Sequence, residues 1–309
     1  RDEGERGMGK THTSYMTNQP QKSPGSAAPP RLGVAFSGGA TRGMAHIGVL
    51  KAFQDNGIQI DLLAGTSIGA MVAAFHAFEV PIETMRQQAV AMSWSKVSAF
   101  TVSRSGLLSN RVIGEIVERH LGRVNIEDAP LPLAIIATDI ARGEKVVLRE
   151  GNLARAIMAS TCVPGIFTPI EIDGRLLVDG FLVENVPISP LQNMDADLIA
   201  AICLSTMKIY REPSGVINIL MNAFEIAIDS HTRRAIRGAD VVIEPNLTHL
   251  TTTDPDQQGA LFDEGYTAGL LAVPKIQKQL QLLQQPKTTV WQKVTKLFRS
   301  RSTSTLKSA

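Results

Sequence analysis

The sequence predicts an α/β fold, a single domain with a mainly parallel sheet flanked by helices. Three observations predict it. An apolar run, a glycine-bearing turn and a helical stretch follow one another twice within residues 32–78. Further apolar runs at 132–138 and 196–205 supply more strands, and the intervening stretches 152–160 and 216–237 have helical spacing. A chain of 309 residues with 44% hydrophobic and 19% charged residues has the profile of a globular protein with one substantial core.

Taken in order, residues 1–30 are polar, rich in Gly, Pro, Ser, Thr and Gln, and carry too little apolar surface to offset the entropy of ordering, so a disordered tail is expected. Leu32-Gly33-Val34-Ala35-Phe36 reads as a buried strand closed by Ser37-Gly38-Gly39. Met44, Ile47, Leu50 and Phe53 then recur at helical spacing, with Asn56-Gly57 as the stop. The pattern repeats as a strand at 60–64, a turn at 65–69 and an Ala-rich helix at 70–78. Strands at 169–173 and 175–178 flank Asp173-Gly174, the dipeptide of a two-residue hairpin. A second Asp-Gly, Asp179-Gly180, lies just beyond, and turn geometry does not explain it. Internal repeats are absent from the sequence, and residues 31–285 form the expected domain.

The segment 286–309 differs in character. Val290, Trp291, Val294, Leu297 and Phe298 share a helical face, while Lys287, Lys293, Lys296, Arg299, Arg301 and Lys307 supply basic charge with no acid. This is the pattern of a helix lying on a membrane surface, and equally of a terminal helix packed on the domain or a solvated tail. The net charge of +2 therefore resides in this tail, the remainder carrying about −4, and no nucleic-acid footprint spreads over the fold. Cys162 and Cys203 show neither a disulfide framework nor zinc-ligand spacing, which fits a reducing, cytoplasmic setting. Any membrane contact is expected to be peripheral, on the inner face, because no apolar run is long enough to span a bilayer.

Chemistry concentrates in two turns. Gly65-Thr66-Ser67-Ile68-Gly69 fits G-x-S-x-G, in which small residues let the chain bend sharply and lift a serine hydroxyl out of a strand-to-helix turn. The helix beginning there aims N–H groups and positive dipole at the serine oxygen. The five residues alone are a weak signal; the flanking strand and helix strengthen it. Gly38-Gly39-Ala40-Thr41-Arg42-Gly43 occupies the equivalent turn after the first strand, where backbone N–H groups can face a developing negative charge. A dinucleotide-binding reading competes but meets Ala40 at the middle glycine position, and a phosphate loop fails for lack of Gly-Lys-Ser/Thr.

Residues 37–50, the Gly65-to-Gly69 elbow, Ala137-Thr138-Asp139 with Gly143-Glu144, the run 156–169 and the stretch from Leu177-Val178-Asp179-Gly180 to Pro187 together resemble the patatin-like phospholipases. They occur in that family's order, most like its bacterial branch related to neuropathy target esterases, and span about 32–275. The resemblance implies a patatin-like fold and a Ser-Asp dyad of Ser67 and Asp179. It also implies an oxyanion hole of Gly38, Gly39 and Ala40, with Arg42, Gly43, Gly65, Gly69 and Gly180 in support. Arg42 would hold the loop or meet an anionic headgroup. Two departures stand out. Ala40 replaces a glycine and resists positive φ, and Phe181 replaces a small residue where it would narrow an acyl site.

The implied activity is hydrolysis of phospholipid, lysophospholipid or related fatty-acyl esters, with no cofactor and no metal. Transacylation by the same residues and a non-catalytic lipid-binding module are the alternatives. An aspartate is a weak base for an alcohol, so Asp179 must sit within hydrogen-bond reach of Ser67 in a water-poor site. A Ser-Asp-His triad remains open through His231 or His249, which follow Asp179. His12 lies in the tail, and His46, His76 and His120 are expected at the core edge or surface. Asp139 reads as a turn residue between strands 133–138 and 145–148.

Overall fold

A computed structural model describes residues 28–91, 108–205, 212–213, 215–250 and 257–285. The polar tail, apart from its last three positions, and the basic tail at 286–309 lie outside these. The first strand, β1 (Leu32–Phe36), is buried throughout, and α1 (Gly43–Asp55) follows it, capped at Asn56 with Gly57 at φ +66. Next come β2 (Leu62–Thr66) and α2 (Ile68–Ala77). Here the sequence reading placed the strand two residues too early. Gly65 and Thr66, read as turn, stay extended because they pair with Ile135 and Ile136. Asp61 serves instead as a bracket outside the strand, its carboxylate accepting the Leu32 N–H at 2.7 Å. The expected five-residue turn thus shrinks to Ser67 alone.

After α3 (Ile82–Ala91) and α4 (Arg111–Leu121), β3 (Leu133–Asp139) and β4 (Glu144–Leu148) form an antiparallel hairpin. The Asn152 side chain caps α5 (Leu153–Ser160) by accepting the Arg155 N–H at 2.8 Å. The predicted Asp-Gly hairpin joins β5 (Ile170–Ile172) to β6 (Arg175–Asp179), with φ of 51 at Asp173 and 70 at Gly174. Short α6 (Phe181–Glu184) and α7 (Ile188–Asn193) lead to β7 (Leu198–Ile202), α8 (Val216–Ala235), β8 (Val241–Ile243) and α9 (Gln258–Gln284).

The sheet order is β5-β6-β3-β2-β1-β7-β8, with β4 also on β3. The segment β3-β2-β1-β7-β8 is parallel, and the pairs of β3 with β4, β3 with β6 and β5 with β6 are antiparallel. Successive side chains of the central strands enter different cores. Val34, Phe36 and Leu63 join the large cluster with α1, α2 and α9, whereas Ala35, Leu62 and Ala64 meet Leu191 of α7 on the opposite face. Fully buried Phe36, Phe53 and Leu50 each contribute on the order of 2 kcal/mol through burial. The long α9 had no assignment in the sequence reading. It lies on α1 almost backbone to backbone, Gly48 facing the Phe262 carbonyl and Gly265 the Ala45 carbonyl.

One register positions the site. Ile136 of β3 pairs with Thr66, and the next residue, Ala137, pairs with Asp179. Since β4 covers Ile135 to Asp139 on one edge of β3, β2 and β6 must occupy the other edge in succession. Their C-terminal ends therefore meet head to head. One carries Ser67 and the other ends in Asp179.

Candidate active site

Ser67 is the sole residue between β2 and α2, at φ 55 and ψ −128, a strained conformation for a side chain of its kind. The bend exists because both neighbouring glycines lack a side chain. A Cβ on Gly65 would strike the Ala70 backbone, and one on Gly69 would strike the Phe36 and Ser37 carbonyl oxygens. The geometry is then fixed by hydrogen bonds. The Ser67 N–H donates to Ser160 Oγ at 2.8 Å, and Ser160 Oγ–H donates to the Ile136 carbonyl at 2.6 Å. Thr66 Oγ1 donates to the Glu184 carbonyl at 2.8 Å.

Ser67 Oγ donates to Asp179 Oδ2 at 2.6 Å, and the other carboxylate oxygen, Oδ1, accepts the Phe181 N–H at 3.0 Å. The Asp179 backbone is also held, its N–H donating to the Cys162 carbonyl and its carbonyl accepting from Thr138 Oγ1, both at 2.8 Å. Asp179 is fully buried. That burial outweighs the two hydrogen bonds favouring the anion and pushes its pKa up to about 7. Burial, aided by the Asp179 charge, also lifts the Cys162 thiol to about 12, so that neighbour stays protonated. Gly180 sits against the Ile136 carbonyl, which leaves no room for a side chain there.

The glycine-rich loop lies beside the serine, Gly38 facing the Ser67 Cβ. The Gly38 N–H donates to the Asn185 carbonyl at 3.1 Å, which takes it away from any developing oxyanion. The N–H groups of Gly39 and Ala40 have no partner among the described residues. Ala40 adopts φ 49, so the expected conflict between alanine and this loop is present as backbone strain. The loop is anchored on its far side: Ser37 Oγ accepts the Leu204 N–H at 3.1 Å, and Arg42 donates to the Leu204 carbonyl at 3.0 Å. Burial works against the Arg42 charge, while Glu225 and Asp229 of α8 favour it. Gly43 packs on Ile68, joining the loop to the start of α2.

The histidines divide differently from the sequence expectation. His46 is fully buried, not at the core edge, because Phe36 takes its ring edge-on at 5.3 Å and its Nε2–H donates to the Ser37 carbonyl at 2.8 Å. Burial lowers its pKa to about 4, so it is a neutral brace behind the glycine-rich loop. His76 and His120 are half-buried. His231 and His249 are exposed, and His249 lies 3.5 Å from Glu264. Among the described residues no imidazole is hydrogen-bonded to Ser67 or Asp179. His12 lies outside them. Asp139 is the turn residue expected, its carboxylate accepting from the Ala141 and Arg142 N–H groups and from the Arg142 guanidinium, which hold its pKa down. Sequence reasoning missed Ser160, His46 and Asn185 as supports. Ser160 alone offered a signal, a polar side chain on the apolar face of a predicted helix.

Residues 34–191 match the family described as patatin-like phospholipase, which is half of the chain. The chain belongs to the patatin-like phospholipase family. An uncharacterized NTE family protein of Mycobacterium tuberculosis is 35% identical over 182 residues, which is 57% of this chain and 49% of that protein. The neuropathy target esterase sws of Drosophila melanogaster is 34% identical over 181 residues, 55% of this chain and 13% of that protein. This patatin-like chain thus spans about half the length of its mycobacterial relative. Among solved structures, VipD from Legionella pneumophila superposes with a TM-score of 0.50 at 15% identity, covering 81% of this chain and 68% of its own, a likeness of fold. The patatin-like match includes the glycine-rich loop, the elbow and Asp179.

Proposed function

We propose that the protein is a serine lipid acyl hydrolase acting on phospholipid or lysophospholipid through a dyad of Ser67 and Asp179. The observation that carries this reading is the 2.6 Å hydrogen bond from Ser67 Oγ to the buried Asp179 carboxylate. Family membership makes a lipid ester the substrate class to expect. A carboxylate with its pKa raised to about 7 is matched to general base work near neutral pH, which an ordinary aspartate is not.

In the proposed sequence, Ser67 Oγ attacks the ester carbonyl carbon while its proton passes to Asp179 Oδ2. The carbonyl oxygen takes up the negative charge and is met by the Gly39 and Ala40 N–H groups and the N-terminus of α2. The intermediate expels the alcohol, which takes the proton back from Asp179. Water then attacks the acyl-enzyme, giving its proton to Asp179, and the fatty acid leaves as Ser67 recovers its hydrogen. Arg42 keeps the loop in place through the Leu204 carbonyl.

The test is turnover of p-nitrophenyl esters and of lysophospholipid and diacyl phospholipid micelles by the full chain. Ser67→Ala and Asp179→Asn are expected to abolish turnover, and His249→Ala to leave most of it. An active Asp179→Asn enzyme combined with an inactive histidine variant would overturn the dyad.

A further inference from the structure

We propose that the outward face of α8 is a docking surface for an anionic lipid bilayer, an inference that rests on the lipid-hydrolase reading above. An ordinary surface helix turns its apolar residues inward. Among the described residues of α8 the buried ones are polar, with Ile228 half-buried beside them. Asp229 and Thr232 are buried, Thr232 Oγ1 lies 3.4 Å from the Asn185 side chain, and Glu225 and Asp229 oppose the charge of Arg42 in the glycine-rich loop. Its outward side presents Ile219, Leu220, Phe224 and Ile226 at 53%, 52%, 40% and 54% exposure, with exposed Ala223 and Ala227 between them. At 100° per residue these six fall on one side of the helix.

Charge selects the occupant. Beyond the apolar patch the same helix and the turn after it expose Arg233, Arg234 and Arg237, and none of the described positions of α8 exposes an acid. Glu244 lines the cleft beside Arg233 and Arg237 and offsets one of these three cations. An apolar face ending in exposed guanidiniums matches acyl chains bordered by anionic headgroups. Position supports the same choice, since Thr232 of α8 lies 3.4 Å from the Asn185 side chain, Glu225 and Asp229 act on the Arg42 charge, and the loop that carries Arg42 faces the Ser67 Cβ at Gly38. A bilayer seated on α8 would therefore lie next to the site that needs an acyl chain.

The experiment uses the full chain with vesicles of phosphatidylcholine alone or mixed equally with phosphatidylglycerol. The combined variant Ile219→Ser, Phe224→Ser, Ile226→Ser is expected to lose at least about tenfold in partitioning onto the mixed vesicles. The pair Arg233→Gln, Arg234→Gln should lose about tenfold on mixed vesicles and little on neutral ones. An environment-sensitive fluorophore on Ile226→Cys, with Cys162 and Cys203 buried, should shift to the blue when vesicles are added. Unchanged partitioning of the serine variant, an unshifted fluorophore on bound protein, or a loss of self-association in place of vesicle binding would each overturn the proposal. Ser67→Ala should bind vesicles like wild type while cleaving no soluble ester, and the serine variant should cleave soluble ester normally. Failure of the hydrolase reading thus appears in ester turnover and failure of the docking surface in partitioning.

Discussion

The Asp179 carboxyl offers the sharpest test, because one raised pKa predicts opposite effects on activity and stability. Its pKa moves from an ordinary 3.8 to about 7, chiefly through burial. Below pH ~4 the folded and unfolded chains both hold this proton and the group leaves stability unchanged. Between about 4 and about 7 the unfolded chain releases a proton that the folded chain keeps, so stability falls by about 1.4 kcal/mol per unit. Above about 7 both states are ionised and the loss, about 4 kcal/mol in all, is complete. Activity runs the other way: kcat/KM should rise tenfold per unit up to about pH 7 and level off as the carboxylate becomes available as base. The neutral His46 slopes stability in the opposite sense, since its pKa of about 4 lies below the ordinary 6.5 and stability is lost as pH falls through that interval. The wild-type curve alone therefore does not isolate Asp179. The informative quantity is the difference between Asp179→Asn and wild type in urea unfolding from pH 4 to 9. It should grow in favour of the variant across pH 4–7 and then stay flat. A difference independent of pH would refute the argument that Asp179 carries a buried proton near neutrality.

Three further expectations follow from the same geometry and a fourth from the composition of the basic tail. Ser160→Ala leaves the buried Ser67 N–H without an acceptor, and should cost about 1–3 kcal/mol in denaturant unfolding and lower kcat more than it raises KM. Gly69→Ala drives a Cβ into the Phe36 and Ser37 carbonyl oxygens, and a loss above about 3 kcal/mol, or no folded protein, is expected by calorimetry. Ala40→Gly relieves a positive φ, and should raise stability by about 0.5–1 kcal/mol while ester turnover persists. Deleting 286–309 should weaken vesicle binding and spare soluble-ester cleavage in the same assays, while equal binding would reject that segment as an anchor.

The parts legible in the sequence were those whose cause is local. Period and composition gave the strands around Val34, Ile135 and Ala200, the Asn56-Gly57 stop and the Asp173-Gly174 hairpin, since each depends on neighbours a few residues away. The elbow was recognisable for the same reason, but its extent was not. Gly65 and Thr66 look like turn residues and become strand only because β3 lies alongside. The placement of His46 failed similarly: nothing in its helical spacing says that Phe36 and the Ser37 carbonyl will enclose its ring. Helix α9 escaped because its buried positions, Leu261, Val273 and Ile276, are diluted by exposed Leu270 and Leu271 and by Pro274.

By itself the sequence determined that a serine set between Gly65 and Gly69 follows one strand and that an unexplained Asp-Gly follows another. Tertiary structure alone decided that the two strands end against each other on consecutive residues of β3, that Asp179 is sealed from water, and that Gly38 spends its N–H on Asn185. The physical reason is range. Backbone propensity and turn strain act within a few residues, whereas desolvation of a carboxyl and a 2.6 Å contact between positions 112 apart exist only once the sheet has closed around them.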